Sequence, residues 1–160
     1  MYMHLFGMKR STMPTLPCLC ANIRRATRAI TQRYDRALRP LGLTITQFTI
    51  LRAVSLAGDI TQGRLGEILA TDSTTLTRTL GAMNRQGWIE KVPGKDRRER
   101  RLRLTRMGKS ELARAVPHWE KSQETLRVQL GKKRWDDLTK LTNDITSVIA
   151  EQGGFDGAAI

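Results

Sequence analysis

The sequence predicts a mainly α-helical fold that carries one small β-hairpin. Apolar residues recur at steps of three and four through most of the chain, the spacing that lines one face of a helix. Residues 101–104 alternate instead, Arg101 and Arg103 against Leu102 and Leu104, which is the period of a strand. Thr, Asp and Gly stand at the joints between these segments, where helix caps belong. With 160 residues, 39% of them apolar and 27% charged, the composition is that of one globular domain with a modest core.

The elements follow in order. Met1, Met3, Met8 and Met13 crowd a segment without periodicity before Pro17, and this tail is expected to be disordered. Ile23, Ala26, Ile30, Tyr34, Ala37, Leu38 and Leu41 then form one helical stripe that stops at Gly42. Thr44 followed by Gln47 reads as a capping box that opens a second helix through Phe48, Ile50, Leu51 and Val54. Thr61 can cap a short third helix with Leu65, Ile68 and Leu69, and Asp72 or Ser73 a fourth with Leu76, Leu80 and Met83 inward, ending at Gly87. Two short helices joined by a tight turn make a helix-turn-helix.

Residues 88–92 turn to strand-forming types, Pro93 and Gly94 punctuate, and the alternating segment returns: a two-stranded hairpin. Thr105 can cap a long helix carrying Leu112, Val116, Trp119 and Leu126, kinked at Pro117 because its ring removes a backbone hydrogen bond. After Gly131 a last helix sets Trp135, Leu138, Leu141, Ile145, Val148 and Ile149 on one face. Such a stripe needs a covering surface, either a second copy or this chain's own core.

Charge narrows the partner. Lys and Arg number 28 against 15 Asp and Glu, a net +13 with pI near 10.8, which suits a nucleic acid or an anionic membrane surface, or serves solubility alone. No apolar run is long enough to span a membrane and no signal-peptide core precedes the first helix, so a cytoplasmic location and no membrane partner are expected. Cys18 and Cys20 are too few and too close for a disulfide framework, and the histidines give no zinc spacing. No metal and no cofactor are expected.

The distribution of charge decides between partners. With Leu76, Leu80 and Met83 inward, a rotation of about 100° per residue turns Thr74, Arg78 and Arg85 to the opposite face, with Thr77 on its shoulder and Ser73 at the helix start. A polar face is often merely solvated. Here a cationic ribbon follows it: residues 91–106 hold eight Lys or Arg, among them Lys95, Arg97, Arg98 and Arg100, against Asp96 and Glu99. A helix whose first turns meet base edges in the major groove, beside a ribbon suited to phosphates and the minor groove, is a double-stranded DNA reader.

The stretch TTLTRTLGAMNRQGWIEKVPGKDRRERRLRLTRMGKSEL closely resembles the recognition helix and wing of the MarR family, in its Thr77-Arg78 pair, Gly87, the Asp96-x-Arg98 wing signature and the Leu104-Thr105 then Gly108 exit. LGLTITQFTILRAV and ITQGRLGEILATD are similar to its preceding helices, so the resemblance covers residues 41–112. It implies a winged helix-turn-helix homodimer on a pseudo-palindromic operator, Arg98 entering the minor groove, Asp96 orienting the wing arginines, and a small aromatic or phenolic effector. The chain then divides into a tail (1–17), a first dimerisation helix (18–43), a DNA-binding lobe (44–112), C-terminal dimerisation helices (105–152) and a frayed end (153–160). The function so implied is that of a transcriptional repressor released by a small ligand or by oxidation.

One position extends the resemblance. Cys20 falls where the organic-peroxide-sensing branch of the family places its reactive thiol, and Tyr34 matches a tyrosine that supports it, while Arg24 and Ile45 stand where that branch has further tyrosines. Arg24, Arg25 and the helix N-terminus would favour a thiolate. A ring closed with Cys18 would be strained, which leaves a mixed disulfide with a small thiol. The alternative is a buried, inert Cys20 at a helix start. A thiol-based redox enzyme using Cys20 lacks an accompanying site, with no histidine motif, carboxylate pair or phosphate loop. A non-specific architectural DNA-binding protein would share the charge without needing a recognition helix.

Overall fold

Four helices begin at a side chain that closes the first turn, and these caps fix the chain's path. The computed structural model describes residues 14, 16–94 and 100–151. Helix α1 (Leu19–Leu38) passes into a 3-10 turn (Arg39–Leu41) that ends at Gly42, φ 70°. At α2 (Ile45–Ala57) the capping box is complete: the Gln47 N–H donates to Thr44 Oγ1 and the Thr44 N–H to Gln47 Oε1. Asp35 of α1 adds a second tie by accepting the Ile45 N–H at 2.7 Å.

Strand β1 (Ile60–Thr61) leads into α3 (Gln62–Leu69), capped by Thr61, and then α4 (Ser73–Arg85), capped by Asp72 rather than Ser73. The turn between them places Ala70 in the left-handed region at φ 48°, a conformation that costs a residue with a Cβ about 1–2 kcal/mol. Its N–H still donates to the Glu67 carbonyl, so the turn stays hydrogen-bonded. After Gly87, φ 72°, come β2 (Ile89–Pro93) and β3 (Arg100–Leu104), then α5 (Arg106–Leu130) and α6 (Lys132–Glu151).

The hairpin is one strand larger than the sequence suggests. β1 pairs antiparallel with β3, giving the order β1-β3-β2 with Ile60 and Lys91 on either side of Leu102. Two residues are too few to show alternation. They form a strand because β3 offers an open edge and Ile60 is buried beside it.

Leu38, Phe48, Leu51, Val54, Leu65, Leu76, Met83 and Leu102 are fully buried and join α1 to α4 and the sheet in one core. Trp119 of α5 closes one side, stacked on Phe48 at 5.5 Å with the Arg52 guanidinium 4.9 Å from its ring centre. Helix α5 continues through Pro117. Pro117 and Ala113, whose carbonyl loses its helical donor, are both exposed, which leaves that carbonyl open to solvent. Ile68, expected inward, is 52% exposed.

The last helix corrects an open alternative. No residue of α6 is buried, and Leu138, Leu141, Val148 and Ile149 are between 43% and 58% exposed. α6 therefore does not fold its apolar face onto the chain's own core. Among the described residues no single helix is long and apolar enough to cross a membrane.

Candidate nucleic-acid interface

Helix α4 presents its outer face because its inner face is fixed. Leu76, Leu80 and Met83 are buried, which leaves Ser73, Thr74, Thr77, Arg78 and Arg85 exposed along the other side. Among the described residues no carboxylate pairs with Arg78 or Arg85, so both guanidiniums face solvent uncompensated. A side-chain cap closes the first turn at this end. Asp72 accepts the Thr75 N–H at 2.8 Å, a bond that holds its carboxyl below the usual carboxylate range.

Helix α3 contributes a contact that the sequence does not suggest. Gln62 Nε2 donates to Thr77 Oγ1 at 2.6 Å, joining the first residue of α3 to the shoulder of α4. The two positions lie in different helices, and no local spacing rule relates them.

The sheet carries the second part of the candidate interface. Arg103 donates from Nε and Nη2 to the two oxygens of Asp59 at 2.8 and 3.0 Å, and Arg101 to the Asp59 carbonyl at 3.3 Å. The Arg103 hydrogen bond pulls the Asp59 carboxyl below its ordinary value. The loop before β1 is thereby tied to β3. Arg100 opens β3 opposite Pro93. Lys95, Asp96, Arg97 and Arg98 lie outside the described residues.

Thr105 fastens the hairpin base to α5. Its N–H donates to the Trp88 carbonyl, its hydroxyl donates to the Gly87 carbonyl, and the same oxygen accepts the Gly108 N–H. One residue thus connects the end of the α4 turn, the start of β2 and the first turn of α5.

Cys20 and Tyr34 are not brought together within the chain. Both lie on α1, where a rise of about 1.5 Å per residue sets them roughly 20 Å apart. The Tyr34 hydroxyl donates to Gln123 Oε1 of α5 at 2.6 Å, and burial pushes its pKa up. Cys20 is exposed in the single chain; with Cys18, Arg24 and Arg28 it lines a shallow groove of about 330 Å³ at the start of α1. Among the described residues no three His, Cys, Asp or Glu side chains gather as a metal site.

Comparison with known proteins agrees with this geometry. A model of the MarR family matches residues 41–99. The HTH-type transcriptional regulator YwoH of Bacillus subtilis is 30% identical over 88 residues, 55% of this chain and 64% of that protein, so the chain spans less than two thirds of that relative. The transcriptional activatory protein BadR of Rhodopseudomonas palustris is 36% identical over 134 residues, 81% of this chain and 68% of its own length. Among solved structures, the transcriptional regulator MosR of M. tuberculosis in complex with DNA superposes with a TM-score of 0.77 at 36% identity, covering 85% of this chain and 98% of that one. The chain belongs to the MarR family of winged helix-turn-helix proteins.

Proposed function

We infer that the chain is a homodimeric, sequence-selective DNA-binding transcriptional regulator, a cytoplasmic repressor rather than an enzyme. One observation carries the reading. The exposed face of α4, with Thr74, Thr77, Arg78 and Arg85, stands beside an arginine-bearing sheet, while the inner face is locked in the core. The first turns of α4 would meet base edges in the major groove, and the hairpin tip with Lys95, Arg97, Arg98 and Arg100 would meet phosphates and the minor groove. The likeness to a MosR structure determined with DNA supports this. The uncovered stripe of α6 supports a second copy as its partner. Selection of bound fragments from a random duplex pool tests the reading: the expected product is a pseudo-palindrome with half-sites about one helical turn apart. Recovery of unrelated sequences would leave only a non-specific binder.

Release from the operator has two candidate signals, a small aromatic or phenolic effector and oxidation of Cys20. The exposure of Cys20 in a groove at the start of α1 favours the second, because an oxidant can reach the sulfur there. Tyr34 could support that thiol only from the second protomer. Operator affinity measured before and after organic hydroperoxide, with Cys20→Ser as control, decides: equal affinity in both proteins removes the thiol and leaves the effector.

A further inference from the structure

We propose that Gln62 is a positioning residue for specificity, fixing the Thr77 hydroxyl as a hydrogen-bond donor to DNA so that each half-site favours a keto base, guanine or thymine, at the position Thr77 faces. The proposal rests on α4 being the reading helix. A threonine hydroxyl has one hydrogen to give and two lone pairs to accept with. In a helix the hydrogen usually returns to the carbonyl four residues back. Thr79, two residues on in α4, does this to Thr75, and so do Thr49, Thr125, Thr139, Thr142 and Thr146 in their own helices.

Thr77 is arranged differently. Its oxygen accepts the Gln62 amide N–H at 2.6 Å, and its hydroxyl hydrogen has no acceptor among the described residues. The side chain is exposed on the shoulder of α4, on the α3 side. With the amide held against one lone pair, the hydrogen is directed elsewhere, into the space a groove would fill.

Base edges differ in what they offer such a group. In the major groove guanine shows N7 and O6 and thymine shows O4, all acceptors, whereas cytosine shows an amino donor and adenine an amino donor beside N7. A fixed donor aimed at N7 would accept either purine, whereas one aimed at the exocyclic position of the edge, where guanine and thymine carry an oxygen and cytosine and adenine an amino group, separates keto from amino bases on the strand it faces. A freely rotating hydroxyl, able to donate or accept, would not. The preference expected of one such bond is on the order of fivefold.

The polarity can be inverted at Gln62 without touching the reading helix. Gln62→Glu replaces the amide donor by a carboxylate, which takes the Thr77 hydrogen and leaves lone pairs facing the groove. Gln62→Ala frees the hydroxyl, and Thr77→Val removes it while keeping the shape. All four proteins are used in bind-and-sequence selection from a randomised duplex pool, after thermal unfolding has shown that each variant is folded. The expected result is one position per half-site where wild type selects guanine or thymine, Gln62→Ala and Thr77→Val select nothing, and Gln62→Glu selects cytosine or adenine, all other positions being unchanged.

A uniform loss of affinity in the Gln62 variants with every base preference retained would overturn the proposal, since Thr77 would then touch phosphate or Gln62 would only brace α3. So would an unchanged preference in Gln62→Glu. Failure of wild type to select any motif would instead sink the regulator reading itself, and is recognised before any variant is compared.

Discussion

Gly108 lies so close to Trp88 that a Cβ on it would stand 2.0 Å from the Trp88 carbonyl oxygen and 2.9 Å from the carbonyl carbon. The obstacle is backbone, held in place by the Thr105 N–H, and cannot swing aside as a side chain would. Gly108→Ala should therefore push α5 away from the hairpin base and destabilise the fold by roughly 3 kcal/mol, the upper end of overpacking. Urea unfolding measures it; a loss under about 0.5 kcal/mol, the ordinary surface value, would show that the junction yields.

The Asp59–Arg103 pair gives the hairpin a pH dependence with a definite sign. The Asp59 carboxyl is lowered in the folded protein, so its stabilising effect is complete above the unfolded value of about 4 and is lost as pH falls through the lower folded one. Asp59→Asn should melt below wild type at pH 6, and the gap should close as pH falls below about 4. A gap that stays constant down to pH 2 would mean the carboxylate charge is not what holds β3.

The face of α6 is the proposed seam of the dimer. Leu141 is 58% exposed in the single chain and central to the stripe. Leu141→Glu should leave the helix-turn-helix core folded, with unchanged far-ultraviolet circular dichroism, while light scattering shows monomers and operator binding falls by at least tenfold. A dimer that persists in this variant would move the seam elsewhere.

Arg78 and Arg98 should fail in different ways. Arg78→Ala removes a guanidinium from the exposed α4 face and should relax one major-groove position at a cost of about 1–3 kcal/mol per half-site. Arg98→Ala should instead weaken the preference for a narrow minor groove beside each half-site. If wild type neutralises about 8 phosphates, the logarithm of affinity should fall against the logarithm of salt with a slope near −7. Unchanged preference in both variants would assign reading to other residues.

What the sequence revealed was local. Thr44 with Gln47, Thr61 and Thr105 cap helices as their spacing implies, because a cap is decided within four residues. The outer face of α4 was readable from the positions of Leu76, Leu80 and Met83 for the same reason. Asp59 with Arg103, Tyr34 with Gln123 and Gln62 with Thr77 were not, since each contact joins separate elements whose approach is set by core packing. β1 escaped notice because its two residues become a strand only by finding β3. Ile68 misled because an eight-residue helix makes barely two turns, too few to separate a buried stripe from its flank.

The staple at Thr105 gives α5 mechanical meaning. The helix is 25 residues long, about 37 Å at the usual rise. Its near end is bonded to the hairpin base, and beyond its far end lies the uncovered face of α6. A tilt of about five degrees at the far end would swing the near end through roughly 3 Å, close to one base-pair step of DNA. In the proposed dimer, a small adjustment at the α6 seam would thus be magnified into a change of reach between the two α4 helices, and the angle of a shaft would gauge the spacing of a half-site pair.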